Sequence, residues 1–138
     1  MPLLEQVFEQ NKDSVKIVFK NMPLRFHKMA EPAARAALAA GEQGKFWEFH
    51  DALFAAEKLN EEVITSTAAK LNLDMEKFAR DRNSPAIKQQ ISKDLRDAQE
   101  AGVTGTPTIF INGKKLKNRS MQGFQTMIAD ELKKLKQS

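Results

Sequence analysis

Asn112-Gly113 constrains this chain more than any other pair of residues. The two central positions of a tight hairpin both need positive φ, and Asn-Gly meets that need at little steric cost. Before it stands Thr106-Pro107-Thr108-Ile109-Phe110-Ile111, strand-like, with proline at its entry. After it, Lys114-Lys115-Leu116 reads as the return strand. Residues 106–116 therefore predict a hairpin.

The remainder is mostly helical in pattern. Leu3, Leu4, Val7 and Phe8 recur at helical spacing and predict a short helix from residue 2 to about Asn11. Val15-Lys16-Ile17-Val18-Phe19 is β-branched and aromatic, which predicts a strand ended by Asn21-Met22-Pro23. From His27 to Gly102 the helical period holds. Pro32 fits a first turn, and the alanines from Ala33 to Ala40 predict close packing up to a stop at Gly41. Phe46, Phe49, His50, Leu53 and Phe54 form the apolar stripe of the next helix. Asn60, Asp74 and Ser84-Pro85 each read as the start of another. Ile87, Ile91, Leu95 and Ala98 line the last of these, which Gly102 closes. Ser120 caps a final helix with Phe124, Met127, Ile128, Leu132 and Leu135 on one face. We read residues 1–138 as one domain with a helical insertion over about 27–102.

Composition removes several functions. The 138 residues contain no cysteine, so they hold no disulfide, no thiolate metal site and no thiol nucleophile. The net charge of +4 is mild. No apolar run approaches the ~20 residues of a membrane helix. The first residues, Met1-Pro2-Leu3-Leu4-Glu5, show no basic region followed by an apolar one, so no signal peptide is expected in the chain as given.

Gly102-Val103-Thr104-Gly105-Thr106-Pro107-Thr108-Ile109-Phe110-Ile111-Asn112-Gly113-Lys114 resembles the cis-proline loop and hairpin of the DsbA-like thiol–disulfide oxidoreductases, a bacterial branch of the thioredoxin-like fold. Taken alone, an X–Pro bond is cis in only about 5–6% of cases. The resemblance reverses that expectation for Thr106–Pro107. Val18-Phe19-Lys20-Asn21-Met22-Pro23-Leu24, then Ala33 to Ala37, then Gly41-Glu42-Gln43-Gly44-Lys45-Phe46-Trp47 and Phe49 to Phe54 are similar to that family's second strand and first insertion helices. The resemblance implies an α/β thioredoxin-like fold with a DsbA-type helical insertion.

It also implies a departure. Family members carry Cys-x-x-Cys at the start of their first helix, after a central first strand. Pro2 to Phe8 resembles the later half of that helix, so the strand and both cysteines would lie upstream of Met1. The expectation is an N-terminally truncated fold, arising from a misplaced start, a deliberate shortening, a natural fragment or a cysteine-free relative. The sheet is then completed either by pairing Val15–Phe19 with Thr108–Ile111 or by an element exchanged with a second copy.

In the family a thiolate of lowered pKa exchanges with a substrate disulfide, while the cis-proline loop offers backbone groups to an extended substrate. By resemblance, Gly105, Thr106 and Pro107 are the substrate-binding residues, and no catalytic residue is expected among the 138. The implied partners are unfolded or cysteine-containing proteins and an unspecified redox partner, with a homodimer or strand exchange as a further one. The implied compartment is periplasmic or otherwise extracytoplasmic for the full-length parent, or the cytoplasm if Met1 is the true start. Two other readings remain open. One is a cysteine-free peptide-binding or chaperone module. The other is a relative of kappa-type glutathione transferases or hydroxychromene-carboxylate isomerases.

Other constellations read as structural. His27 and His50 are far apart in sequence, and Glu48, His50 and Asp51 lack i, i+4 spacing, so no metal and no cofactor are expected. His50 is expected to be a partly buried residue beside Phe46 and Phe54. The lysines at 114, 115, 117, 133, 134 and 136 lack interleaved aromatics, so no nucleic-acid partner is expected. Asn118-Arg119-Ser120 fits a glycosylation acceptor, with nothing else in the chain to support that use.

Overall fold

Four of the chain's helices open on signals legible in the sequence. The Asn60 side chain accepts from Val63 N at 2.8 Å, and that of Asp74 from Lys77 N at 3.1 Å. Ser84 Oγ accepts from Ile87 N at 3.3 Å, with Pro85 as first helical residue. Ser120 Oγ accepts from Gly123 N at 3.1 Å. Each satisfies an amide that the first helical turn leaves without a partner.

The computed structural model describes residues 2–24 and 27–137. Its elements are α1 (Pro2–Gln10), α2 (Ala30–Gly41), α3 (Phe46–Ala55), α4 (Glu61–Lys70), α5 (Met75–Arg82), α6 (Pro85–Glu100), β1 (Phe110–Ile111), β2 (Lys114–Lys115) and α7 (Met121–Gln137). They fall into two compact units. One takes Met1–Phe19 and Val103–Ser138, the other Lys20–Gly102.

The second unit is all helical. Ala36, Ala37, Ala39 and Ala40 are buried along α2, and their small side chains let α3, α5 and α6 pack closely around it. Phe49, Ile64, Ala68, Leu73, Phe78, Ile87 and Ile91 complete this core. Gly41 is the last residue of α2, not its stop. The left-handed turn comes three residues later at Gly44 (φ 74°). A Cβ on Gly41 would lie 3.3 Å from that of Phe46, so its small size serves the approach of α3. Gly102 (φ 74°) does terminate α6 as expected.

The unit also contains a buried polar knot. Asp94 Oδ2 accepts from both the backbone N and Nδ2 of Asn21, each at 2.9 Å, and Oδ1 accepts from Gln90 Nε2 at 2.8 Å. Asn21 and Asp94 are both buried. Beside them Lys20 Nζ lies 2.6 Å from Asp97, and this hydrogen bond holds the Asp97 carboxyl below its ordinary value.

In the first unit, Val7, Leu116, Phe124 and Ile128 form the core, flanked by half-buried Val15, Ile109, Ile111 and Met127. The hairpin has the expected turn, with φ of 49° at Asn112 and 80° at Gly113. Phe110 pairs with Lys115 and Ile111 with Lys114, and Leu116 N donates to Ile109 O at 2.8 Å. Glu131 of α7 secures the turn, accepting from Lys114 Nζ at 2.8 Å and lying 3.4 Å from Asn112 Nδ2.

Val15–Phe19 does not form the expected strand, and among the described residues it has no ladder with Thr108–Ile111. A strand exists only beside a hydrogen-bonded neighbour. Here α1 ends in a turn in which Val15 N donates to Asn11 O, and the residues after Phe19 are taken up by Asp94 and Asp97. Val15 packs on the core while Val18 is 67% exposed. The apolar stripes also run shorter than expected. Phe54, Leu95 and Leu135, each expected on an apolar face, are exposed.

Candidate peptide-docking site

Residues 103–109 leave α6 and lead into β1 as an irregular loop. The Thr106–Pro107 peptide bond is cis. Both residues are exposed. Two side chains hold the loop around them. Thr108 Oγ1 donates to Gly105 O at 2.6 Å, and Arg119 Nη1 donates to Pro107 O at 3.0 Å. Among the described residues, the backbone amides of Thr106 and Thr108 have no backbone acceptor. They are the kind of donors an extended chain uses when it adds itself to an edge.

The loop borders an open depression of about 470 Å³. Gly105, Thr106, Pro107 and Thr108 line one part, and Lys115, the buried Leu116, Lys117 and Arg119 another. The three residues expected to bind substrate are therefore together on one surface. Gly105 has neither a positive φ nor any atom within 4 Å of where its Cβ would stand, so the space beside it is open to a ligand. Arg119, Lys115 and Lys117 were not singled out for this site by sequence. The signal was there only in part, as lysines alternating with a leucine after the Asn-Gly turn.

No cysteine is present, so the depression holds no thiol. The hydroxyl of Thr108 is engaged with Gly105. His50 lies in the other unit with its ring 5.8 Å from Phe46, 5.5 Å from Trp47 and 4.5 Å from Phe54. Its Nδ1 is 3.2 Å from Asp51. That is the setting of a packed helix residue. Among the described residues, no three His, Asp or Glu side chains are grouped to hold a metal, and no helix is long and apolar enough to cross a membrane. In Asn118-Arg119-Ser120 the Asn118 Oδ1 accepts from Ser120 N at 3.1 Å, so its amide is part of the turn into α7.

A helical unit inserted between α1 and a cis-proline loop with its hairpin, followed by a C-terminal helix, defines a DsbA-type thioredoxin-like protein. The chain belongs to the DSBA-like thioredoxin domain family, whose model matches residues 4–129. Among solved structures it is similar to a thioredoxin-like oxidoreductase from Silicibacter pomeroyi, with TM-score 0.77 and 27% identity over 97% of this chain and 81% of that one. The fold is shared with the thiol-disulfide exchange protein alpha-DsbA2 from Wolbachia pipientis, with TM-score 0.80 and 23% identity over 95% of this chain and 72% of that one. Among curated proteins, the chain is 31% identical over 134 residues to the probable disulfide bond formation protein D of Bacillus anthracis, covering 90% of this chain and 61% of that protein. It is also 37% identical over 106 residues to the Na(+)/H(+) antiporter NhaA of Herminiimonas arsenicoxydans, covering 76% of this chain and 17% of the antiporter. The chain thus spans less than two thirds of the length of these curated relatives. Family model, fold and the relatives named for disulfide bond formation agree on a DsbA-like thioredoxin domain, and the 138 residues contain no thiol.

Proposed function

We propose that this chain is the substrate-docking portion of a DsbA-like thiol–disulfide oxidoreductase. In this reading Gly105, Thr106 and Pro107 receive an extended segment of an unfolded, cysteine-containing polypeptide. The observation that carries it is the exposed loop, whose amides at Thr106 and Thr108 lack backbone acceptors, beside an open depression in a member of this family. Disulfide exchange requires a thiolate. The 138 residues contain none, so they hold a substrate without exchanging its sulfurs. The sequence is taken as one domain, residues 1–138, with 27–102 inserted. The family's chemistry favours an oxidising, extracytoplasmic compartment. A second copy is a further partner in this reading, supported by the exposed Val18 in a segment without assigned secondary structure. The ion exchange named for the antiporters is no part of it, because the match covers 17% of that protein.

The test is an NMR titration of the 15N-labelled chain with an unfolded, cysteine-containing peptide, run beside an insulin-reduction assay. Shifts centred on the amides of residues 104–109, without insulin reduction, are the expected result. Shifts confined to other residues, no binding, or measurable reduction by the pure chain would each refute the proposal.

A further inference from the structure

The charges around the docking loop are one-sided. Lys115, Lys117 and Arg119 line the depression, and no aspartate or glutamate does. A second depression of about 450 Å³, toward α7, is also bordered by Lys115 and Lys117 and again has no carboxylate in its lining. Of the three lysines that follow the hairpin turn, Lys114 is neutralised by Glu131. Among the described residues, no carboxylate lies within ion-pair distance of Lys115, Lys117 or Arg119. Arg119 spends one donor on Pro107 O, which fixes its position at the loop while leaving its charge and other donors available.

The backbone organises this charge. Lys115 is the last residue of β2, and Leu116 N still bonds to Ile109 O. Exposure alternates over the three residues: Lys115 exposed, Leu116 buried at 4%, Lys117 exposed. Lys117 follows at a bend just beyond β2, and both lysines border the same two depressions. Leu116 turns into the core and holds the register.

We infer that Lys115, Lys117 and Arg119 select the polypeptide segment docked at this loop, favouring one that carries aspartates or glutamates. This rests on the docking role proposed above and names its substrate class. The cations sit at an exposed rim, where complementary charge acts mainly on encounter and specificity. Two exposed ion pairs support a preference of about fivefold to tenfold at low ionic strength. The preference vanishes at ~1 M salt, where the screening length falls to about 3 Å.

The experiment uses two unfolded peptides identical in length and apolar residues, one with glutamate and one with lysine at alternate positions. Binding to the full chain is followed by fluorescence anisotropy at low and high salt. The expected result is tighter binding of the acidic peptide, about fivefold or more, lost at high salt and reversed by Lys115→Glu with Lys117→Glu. Lys133→Glu makes the same kind of charge change on the exposed side of α7 outside both depressions and retains the preference. Far-UV circular dichroism checks that each variant is folded. Equal affinities for the two peptides overturn the inference while leaving the docking site intact. So does a preference that survives the double substitution or is lost equally with Lys133→Glu. Binding of neither peptide overturns the docking role itself, and the inference with it.

Discussion

Replacing Gly123 with alanine sets two physical effects against each other. Gly123 is the third residue of α7, and its amide donates to Ser120 Oγ. Intrinsic propensity favours alanine over glycine by about 1 kcal/mol within a helix. If only propensity mattered, the substitution would stabilise the protein. The structure points the other way, because the backbone of Asn118 lies across the first turn of α7. A Cβ on Gly123 would stand 2.8 Å from the Asn118 carbonyl carbon and 2.9 Å from its Cβ, and closer still to the carbonyl oxygen. Ordinary contacts of a Cβ begin at about 3.4 Å, so the Asn118 carbonyl oxygen, the nearest atom, would have to retreat by roughly 1.4 Å. It is held there by the bond from Ser120 N to Asn118 Oδ1, and two nearby residues are fixed as well. Arg119 is tied to Pro107, and Leu116 is buried. Overpacking against a fixed partner costs about 1–3 kcal/mol, and loosening the Ser120 cap about 1 kcal/mol. The net expectation is a loss of about 1–3 kcal/mol, worked from these terms less the propensity gain. Urea unfolding followed by circular dichroism should show a lower midpoint with an unchanged slope. Gly105→Ala is the control, since nothing lies within 4 Å of its Cβ position, and should change stability by less than about 0.5 kcal/mol. A Gly123→Ala protein as stable as the parent, or more so, would refute the steric account and leave propensity in charge.

Three further outcomes follow from individual contacts. Hydrogen bonding from Lys114, helped by Asn112 and Lys134, holds the Glu131 carboxyl at about 2 against an ordinary 4.5. Its contribution to stability is complete above pH 4.5 and is lost as pH falls toward 2. Urea midpoints measured across that interval should fall less steeply in Glu131→Gln, and identical slopes would contradict the assignment. Asp94→Ala leaves the two buried donors of Asn21 without their acceptor and should cost about 2–3 kcal/mol in thermal or urea unfolding. Asn60→Ala removes the cap on α4 and should cost about 1 kcal/mol, whereas Asn60→Asp, which can make the same bond to Val63 N, should restore most of it.

The candidate docking site was half legible. Gly105, Thr106 and Pro107 could be named because a resemblance attached a role to a loop pattern, and the structure places them together on one exposed surface. Arg119 could not, since its bond to Pro107 O spans 12 residues across a turn and leaves no local signature. Nor could the Asn21–Asp94 knot, whose partners are 73 residues apart. Asp94 sits amid charged residues on α6 and looks in sequence like any solvated position.

The sequence by itself determined the punctuation and the turn. Asn60, Asp74 and Ser84-Pro85 start helices, and Asn112-Gly113 makes the hairpin, because capping and positive φ are decided by a few neighbouring residues. It also determined that these residues carry no thiol. Tertiary structure alone decided the fate of Val15–Phe19, whose strand-forming side chains meet no ladder partner among the described residues. It decided as well that Lys115 and Lys117 have no ion-pair partner among the described residues while Lys114 is neutralised by Glu131. Caps and turns close within a few residues. Ladders and ion pairs depend on which distant atoms arrive beside them, and that is settled only when the chain has packed.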